Sequence, residues 1–272
     1  MRRYVHLATG NYNPSTARVY GDISYFTARP DFADDFGALF NLLTGYSSPP
    51  SWKRIAVAPV GLAERIKELI EREIGFGDKG RIIAKMNALV DPEVIKTLYR
   101  ASQAGVQIDL LVRGICCLRP GVPGISDNIR VTSVVDRFLE HARIFYFEAG
   151  GRREVYLSSA DWMPRNLVRR IEVMFPIEHE ALRDRLVQEI LGTMLADNVK
   201  TRRLGPDGSY ETARPQGDLL RSQQRFMDLA RMSSHDSGGY RARPVHAPRG
   251  PAPALLSSLA ADVGEPPVTL AS

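Results

Sequence analysis

Val155-Tyr156-Leu157-Ser158-Ser159-Ala160-Asp161-Trp162 repeats, without a gap and 150 positions further on, the stretch Val5-His6-Leu7-Ala8-Thr9-Gly10-Asn11-Tyr12. The same offset places Asp22 on Glu172, Ile23 on Val173 and Tyr25 on Phe175. Each copy reads as an apolar strand and a turn of small residues, then an Asn or Asp followed by an aromatic ring. A second strand, opened by an acid, completes it. A duplicated α/β unit explains the correspondence.

Ahead of the second copy stands His141-Ala142-Arg143-Ile144-Phe145-Tyr146-Phe147-Glu148. Alternate residues of a strand share a face, so His141 and Arg143 project together. A cation there can neutralise phosphate oxygens while the imidazole attacks phosphorus or shuttles a proton. Moved back by the repeat offset, the position matching His141 falls before Met1, so the first-copy histidine is expected upstream of this chain. The segment resembles a relaxed form of the phospholipase D superfamily motif H-x-K-x-x-x-x-D, with Arg143 for the lysine and Glu148 for the acid.

Outward from this centre, residues 51–204 alternate between strands and helices. Strands are expected at 54–58, 81–86, 106–112, 143–147, 155–157 and 171–175. Helices are expected at 62–74, 92–105 and 180–195, the first with Leu62, Ile66, Leu69 and Ile70 on one face and the second opened by Asp91 as N-cap. Gly150-Gly151 turns a hairpin and is not a phosphate loop. Residues 1–50 hold strands at 4–7 and 23–26 and a helix at 34–43, closed by Gly45 and Ser47-Ser48-Pro49-Pro50. The fold class is therefore α/β: a phospholipase-D-like mixed sheet flanked by helices. One nearly complete domain, 51–204, follows the end of a preceding one, 1–50. Pro, Gly, Ser and Arg dominate 205–272, which is expected to be a disordered tail with room for a short helix at 216–232.

The 272 residues are 44% hydrophobic and 25% charged, as in soluble globular proteins. No run approaches the ~20 apolar residues of a membrane span. No apolar signal segment follows Met1. Adjacent Cys116 and Cys117 are expected as reduced thiols on a buried strand, because a bridge between neighbours is strained. The net charge of +5 favours polyanions weakly. Arginine outnumbers lysine, which suits bidentate phosphate contacts, although a GC-rich genome produces the same bias.

Longer blocks carry a closer resemblance. His6-Leu7-Ala8-Thr9-Gly10-Asn11-Tyr12-Asn13, Thr16-Ala17-Arg18 and Tyr20-Gly21-Asp22 resemble the H-x-G-T-G-N-x-N…T-A-R-x-Y-x-D signature of the polyphosphate kinase family, with Ala8 where the family has Gly. Leu111-Val112-Arg113-Gly114-Ile115-Cys116 resembles its L-V-R-G-x-C turn. Further blocks match at 124–129, 136–141, 158–163, 165–166 and 170–173. The resemblance covers roughly residues 4–204.

It implies reversible transfer of the ATP terminal phosphate to inorganic polyphosphate, through a phosphohistidine and with Mg²⁺. ATP, ADP and polyphosphate are then the partners, with no specific nucleic acid and a possible homo-oligomer. The implied location is cytoplasmic, with peripheral attachment at the inner membrane left open. Family ATP contacts fall on Tyr20, Arg113 and His141. His141 is the candidate general acid or base, Arg170 and Arg143 are further phosphate candidates, and no metal ligand is identifiable. The phosphorylated histidine belongs to an H-A-K segment that this chain lacks.

Read without the family, each residue has a plainer alternative: a core histidine for His141, packing for Tyr20, a surface arginine before a turn for Arg113. Arg143 and Arg170 would pair structurally with Glu148 and Glu172. His6 and Asp22 read as scaffold or support, and His179, His235 and His246 carry no motif. Two other functions remain open: an inactive remnant or polyphosphate-binding module, and a phospholipase-D-like phosphodiesterase acting as a dimer.

Overall fold

The computed structural model describes residues 2–45, 51–213, 215 and 217–235. In chain order the first elements are β1 (Val5–Ala8), β2 (Tyr20–Gly21), β3 (Ser24–Thr27), α1 (Pro30–Leu43), β4 (Ala56–Ala58), α2 (Leu62–Ile74), β5 (Arg81–Met86), α3 (Pro92–Gln103) and β6 (Gln107–Val112). There follow β7 (Ile129–Val134), β8 (Leu139–Glu140), β9 (Arg143–Phe147), β10 (Glu154–Ser158) and β11 (Glu172–Pro176). A helical run of α4 (Glu180–Asp184), a wide π turn and α5 (Gly192–Leu195) comes next, then β12 (Thr201–Leu204), β13 (Tyr210–Thr212) and α6 (Ser222–His235).

One nine-stranded sheet, ordered β13-β12-β7-β6-β5-β9-β10-β11-β4, organises the molecule. Strands β5, β6 and β7 are parallel neighbours, and every other pair in it is antiparallel. The expected mixed α/β sheet is present. Alternation along β5 explains the layers: Ile82, Ala84 and Met86 face α2 and α3, where they meet Leu62, Ile66, Leu69, Leu98 and Phe145. On the opposite face, Ile83 joins Ile144, Tyr146, Leu157 and Phe175 beneath α1 and the α4–α5 run. Helix α2 buries all four residues that its periodicity selects, and Asp91 caps α3 by accepting from Glu93 N and Val94 N.

Strands β1 and β3 form a separate ribbon, and β2 pairs with β8. The ribbon bears on the repeat. Leu7 faces Tyr25, and Leu157 faces Phe175, so the two hairpins share one register under the 150-residue shift. The equivalent rings of Tyr25 and Phe175 stack with centroids 6.1 Å apart. The copies therefore pack against each other through matching positions.

Several expectations differ from the structure. Cys116 and Cys117 are free thiols, as expected, but they lie in the loop after β6 and not on a buried strand; Cys117 is exposed. Strands β7 and β12 add to those expected; β7 alternates, with Ile129 and Val131 buried around exposed Arg130, whereas β12 has no apolar alternation to read. Arg202 and Arg203 of β12 are exposed while their backbone pairs with β7. Strand β13 falls within the stretch expected to lack structure, whereas the short helix allowed for at 216–232 is present as α6, beginning at Ser222. The breaker Ser47–Pro50, His246 and everything from 236 onward lie outside the described residues.

Buried Asp35 fastens α1 to the strand region ahead of β4. Its carboxylate accepts from the backbone N–H groups of Lys53 (2.9 Å), Arg54 (2.7 Å) and Ile55 (3.1 Å). Of these donors, Ile55 is buried and has no water to turn to. Asp35→Ala is expected to lower unfolding free energy by about 1–3 kcal/mol. The readout is a lower urea midpoint at unchanged slope.

Candidate functional site

His141 lies between β8 and β9, and backbone pairing fixes its neighbours. Tyr20 pairs with Leu139 and Gly21 with Glu140. His141 N and Ala142 N both donate to Gly21 O, at 3.1 and 2.9 Å. That clamp brings the end of the first copy against the start of the second copy's histidine strand. The Tyr20 ring consequently sits 4.8 Å from the imidazole, tilted by 46°. Asp22 reaches His141 Nδ1 with both oxygens, at 2.9 and 3.0 Å, and accepts from Thr9 Oγ1 at 2.8 Å. An Nδ1–H donated to Asp22 makes Nε2 the acceptor nitrogen of the ring, and Arg143 is the side chain that meets it.

Arg143 projects beside His141, as strand alternation requires. Its Nη1 lies 3.2 Å from His141 Nε2 and donates to Thr9 O at 3.0 Å. Its Nε and Nη2 bind the two oxygens of buried Asp161 at 3.1 and 3.0 Å. Asp161, not Glu148, is thus its acidic partner. Asn87, beyond the end of β5, ties the cluster together. It donates to Asp161 through its backbone (2.7 Å) and side chain (3.0 Å), and its Oδ1 accepts from Arg113 Nε at 2.6 Å. Arg113 Nε also donates to Glu140 O at 3.0 Å. Lys85, almost wholly buried, donates to Ala142 O at 3.1 Å and pairs with Glu140 at 3.2 Å.

Charge accounting within this cluster is informative. Asp22 is matched with His141, Asp161 with Arg143, and Glu140 with Lys85. Among the described residues Arg113 forms no ion pair with a carboxylate, and its Nη groups carry no hydrogen bond. It is a half-buried cation with the fork of the guanidinium left for an anion. Burial and the nearby Arg143 lower its proton affinity against the pull of Asp161, and it remains a cation. Burial likewise pushes the Lys85 ammonium down, opposed by Glu140. Burial opposes ionisation of Asp161, but Arg143 and the Asn87 donors outweigh it and hold the carboxyl below its ordinary value. Asp22 behaves the same way, with His141 and Thr9 overcoming its burial.

Two glycines of the sequence motifs are explained by close approach. A Cβ on Gly10 would sit 2.4 Å from the Asp22 carboxyl carbon, and one on Gly114 would sit 2.8 Å from Asn87 O. Both backbones must come near for the cluster to close.

Of the residues singled out from sequence, Tyr20, Arg113, His141 and Arg143 are gathered in one place. Arg170 is exposed, and no side-chain bond among the described residues ties it to them. His6 lies elsewhere, stacked on Phe26 at 4.1 Å. An apolar groove of about 510 Å³ runs beside β1 and α1, past Tyr4, Phe36, Phe40 and Phe175, and no cluster residue lines it. Asn87, Lys85, Glu140 and Asp161 were not marked as site residues. A lysine within the buried run Arg81–Met86 was the readable signal, since cations seldom enter such strands unpaired. Asn87 offered none.

The carboxylates do not fit a magnesium site. Asp161 and Glu140 are already engaged by Arg143 and Lys85, and Asp22 by the His141 ring; no group of three His, Cys, Asp or Glu able to hold a metal occurs among the described residues. No helix among the described residues is long and apolar enough to cross a membrane.

A mixed α/β sheet carrying an imidazole, a paired arginine and an unmatched one defines the class of site as a cationic cluster open to an anion. Comparison with known proteins narrows the class. Residues 55–224 match the family described as polyphosphate kinase C-terminal domain 2, and residues 1–49 match polyphosphate kinase C-terminal domain 1. The chain belongs to the polyphosphate kinase family. It is 56% identical over 218 residues to the polyphosphate kinase of Synechocystis sp., covering 79% of this chain and 30% of that protein. It is 52% identical over 230 residues to polyphosphate kinase 1 of Chlorobaculum tepidum, covering 84% and 33%. The crystal structure of polyphosphate kinase from Porphyromonas gingivalis superposes with a TM-score of 0.82 at 42% identity, covering 87% of this chain and 37% of that one. The chain thus spans about a third of the length of the curated relatives it matches.

The depressed carboxyls set the acid behaviour. A group whose folded-state pKa lies below its unfolded value contributes fully above the unfolded value, near ~3.9 for Asp. That contribution is lost as pH falls below it. Thermal midpoints measured between pH 7 and pH 2 are expected to fall steeply below pH 4. Asp161→Asn is expected to be less stable at pH 7 and to show a shallower acid slope.

Proposed function

We propose that this chain is the C-terminal catalytic part of a polyphosphate kinase, taking part in reversible transfer of the ATP terminal phosphate to inorganic polyphosphate. The observation that carries this reading is the Arg113 fork, free of carboxylates and linked through Asn87 and Glu140 to the His141 strand. Phosphoryl transfer asks a protein mainly for positioning and for positive charge around the transferred group. Arg113 clamps phosphate oxygens, Tyr20 borders the nucleotide, and His141 exchanges a proton through Nε2 while Asp22 holds Nδ1. Arg170, exposed and flexible in reach, meets the outer part of a polyanionic chain. Magnesium has no cage among these side chains, and none of these roles is routed through it.

The nucleophilic histidine is assigned to the first copy, outside this chain. Support comes from a duplicated hydrogen-bond network. Ile23 N donates to Thr9 Oγ1, which donates to Asp22; at the equivalent positions Val173 N donates to Ser159 Oγ, which donates to Glu172. Asp22 spends its remaining capacity on the second copy's histidine, whereas Glu172 spends it on Asn166. Glu172 therefore occupies the place of a carboxylate that would orient a first-copy imidazole. The same observation favours a second reading: alone, the chain binds phosphates without turning them over.

With γ-labelled ATP, the isolated chain is expected to form no acid-labile phosphohistidine; labelling of His141 or any other histidine here would overturn the assignment of the nucleophile. In equilibrium titrations, Arg113→Ala is expected to weaken ATP binding by about 10- to 100-fold, the worth of a lost bidentate phosphate contact. Unchanged affinity would remove the phosphate clamp from the proposal.

A further inference from the structure

Helix α6 lies beyond the stretch that the sequence motifs mark, yet its first turn reaches the site. Gln223 is buried, and its amide is fully used. Oε1 accepts from Phe138 N at 2.8 Å, and Nε2 donates to Phe138 O at 2.8 Å and to Glu140 Oε1 at 2.7 Å. The side chain thus pairs with Phe138 as a neighbouring strand would, one step from β8. Arg221 adds a two-pronged grip on Asp136, at 2.7 and 2.6 Å, and the Asp136 side chain is 3% exposed. Ser222 fastens the turn from behind, its N and Oγ donating to Asp197 Oδ2 at 2.8 and 2.7 Å.

These grips converge on residues 136–140, which lead directly into His141. Glu140 is the junction. Its carboxylate meets both Gln223 and Lys85, and its carbonyl accepts from Arg113 Nε. Leu139 and Glu140 also form the strand that pairs with Tyr20 and Gly21. A single residue therefore separates Gln223 from the Arg113 guanidinium, and two peptide bonds separate its Phe138 contacts from the residue next to His141.

What α6 buries is unusual for a docked helix. A helix held on for stability turns an apolar stripe inward. Among the α6 side chains described, those classed as fully buried are Ser222 and Gln223, both polar. Phe226 packs on the core only in part. The most deeply buried contacts of this helix are hydrogen bonds to the site segment.

We propose that Gln223 is a positioning residue of the phosphate site, holding Phe138 and Glu140 and, through Glu140, the Arg113 guanidinium and the adjacent His141. The phosphate role rests on the function proposed above; the geometric role does not. Without the amide, Phe138 loses both backbone partners and the Glu140 carboxylate keeps, among the described residues, only Lys85. The carbonyl that fixes Arg113 Nε is then held through His141 N on Gly21 O alone, and the fork is aimed less tightly.

The test uses the full 272-residue chain, with Gln223→Ala, Arg221→Ala and, as control, Gln224→Ala, whose amide bonds, among the described residues, only to Asp228 within the helix. Three properties are read: thermal unfolding, the NMR signals of the Arg113 Nε–H and the His141 ring, and MgATP affinity by calorimetry. Gln223→Ala is expected to shift or broaden both NMR signals and to raise the ATP dissociation constant about tenfold, the effect of one lost strong hydrogen bond. Arg221→Ala is expected to do the same more weakly, and it decides the matter if Gln223→Ala does not fold. Gln224→Ala is expected to match the wild type. Folded Gln223→Ala or Arg221→Ala protein with a lower melting point but unmoved Arg113 and His141 signals would overturn the proposal. If the wild type binds no ATP, the functional reading fails, while the NMR shifts still decide the positioning role.

Discussion

The contact between His141 and Asp22 joins residues 119 apart in the chain, and the site depends on it. An imidazole at this depth needs a partner for Nδ1, and the partner comes from the other copy of the repeat. Once that contact forms, Tyr20 and Thr9 are drawn in with Asp22, Thr9 O becomes an acceptor for Arg143, and Gly21 O becomes an acceptor for the backbone leading into β9. The second copy cannot complete its histidine environment alone. Residues 1–45 are therefore part of the site and not an appendage to a finished domain.

Charge pairing then decides what remains available. Three cations and an imidazole are crowded at one end of the sheet, where burial penalises every unmatched charge. Three carboxylates answer three of these groups. The remainder is Arg113, which keeps its fork because Asn87 and a carbonyl, both neutral, hold only its Nε. A carboxylate in either position would have filled the guanidinium and left nothing for an incoming phosphate. The absence of charge in those two holders is as important as the charge of the arginine.

The duplication shows how one hairpin serves two ends. Thr9 and Ser159 make the same bonds to the acid and the backbone of the facing strand, so Asp22 and Glu172 emerge in the same way from the same scaffold. Their remaining partners differ, His141 for one and Asn166 for the other. Identical local geometry thus carries two different states of occupation, and the difference lies wholly in what the rest of the structure presents to each carboxylate.

Much of this was legible in the residue order. Periodicity placed α2, α3, β5, β6, β9 and β10, because each is a continuous run whose pattern reports its own burial. The repeat, the pairing of His141 with Arg143 on one strand face, and the turn at Arg113 were readable for the same reason: each is local. Strand β12 was not, since its pairing depends on neighbours far along the chain and not on its own alternation, with Arg202 and Arg203 both exposed. The motif spacing matches Arg143 with Glu148, whereas the fold brings Asp161 to it. Asn87 and Gln223 carry no motif, Glu140 lies in a matched block with no role marked on it, and all three acquire their roles only by position. Sequence determined which groups could handle phosphate, because chemistry belongs to side-chain type and short spacing. Tertiary structure decided which of them is left free to do so, because that is settled by partners from distant parts of the chain.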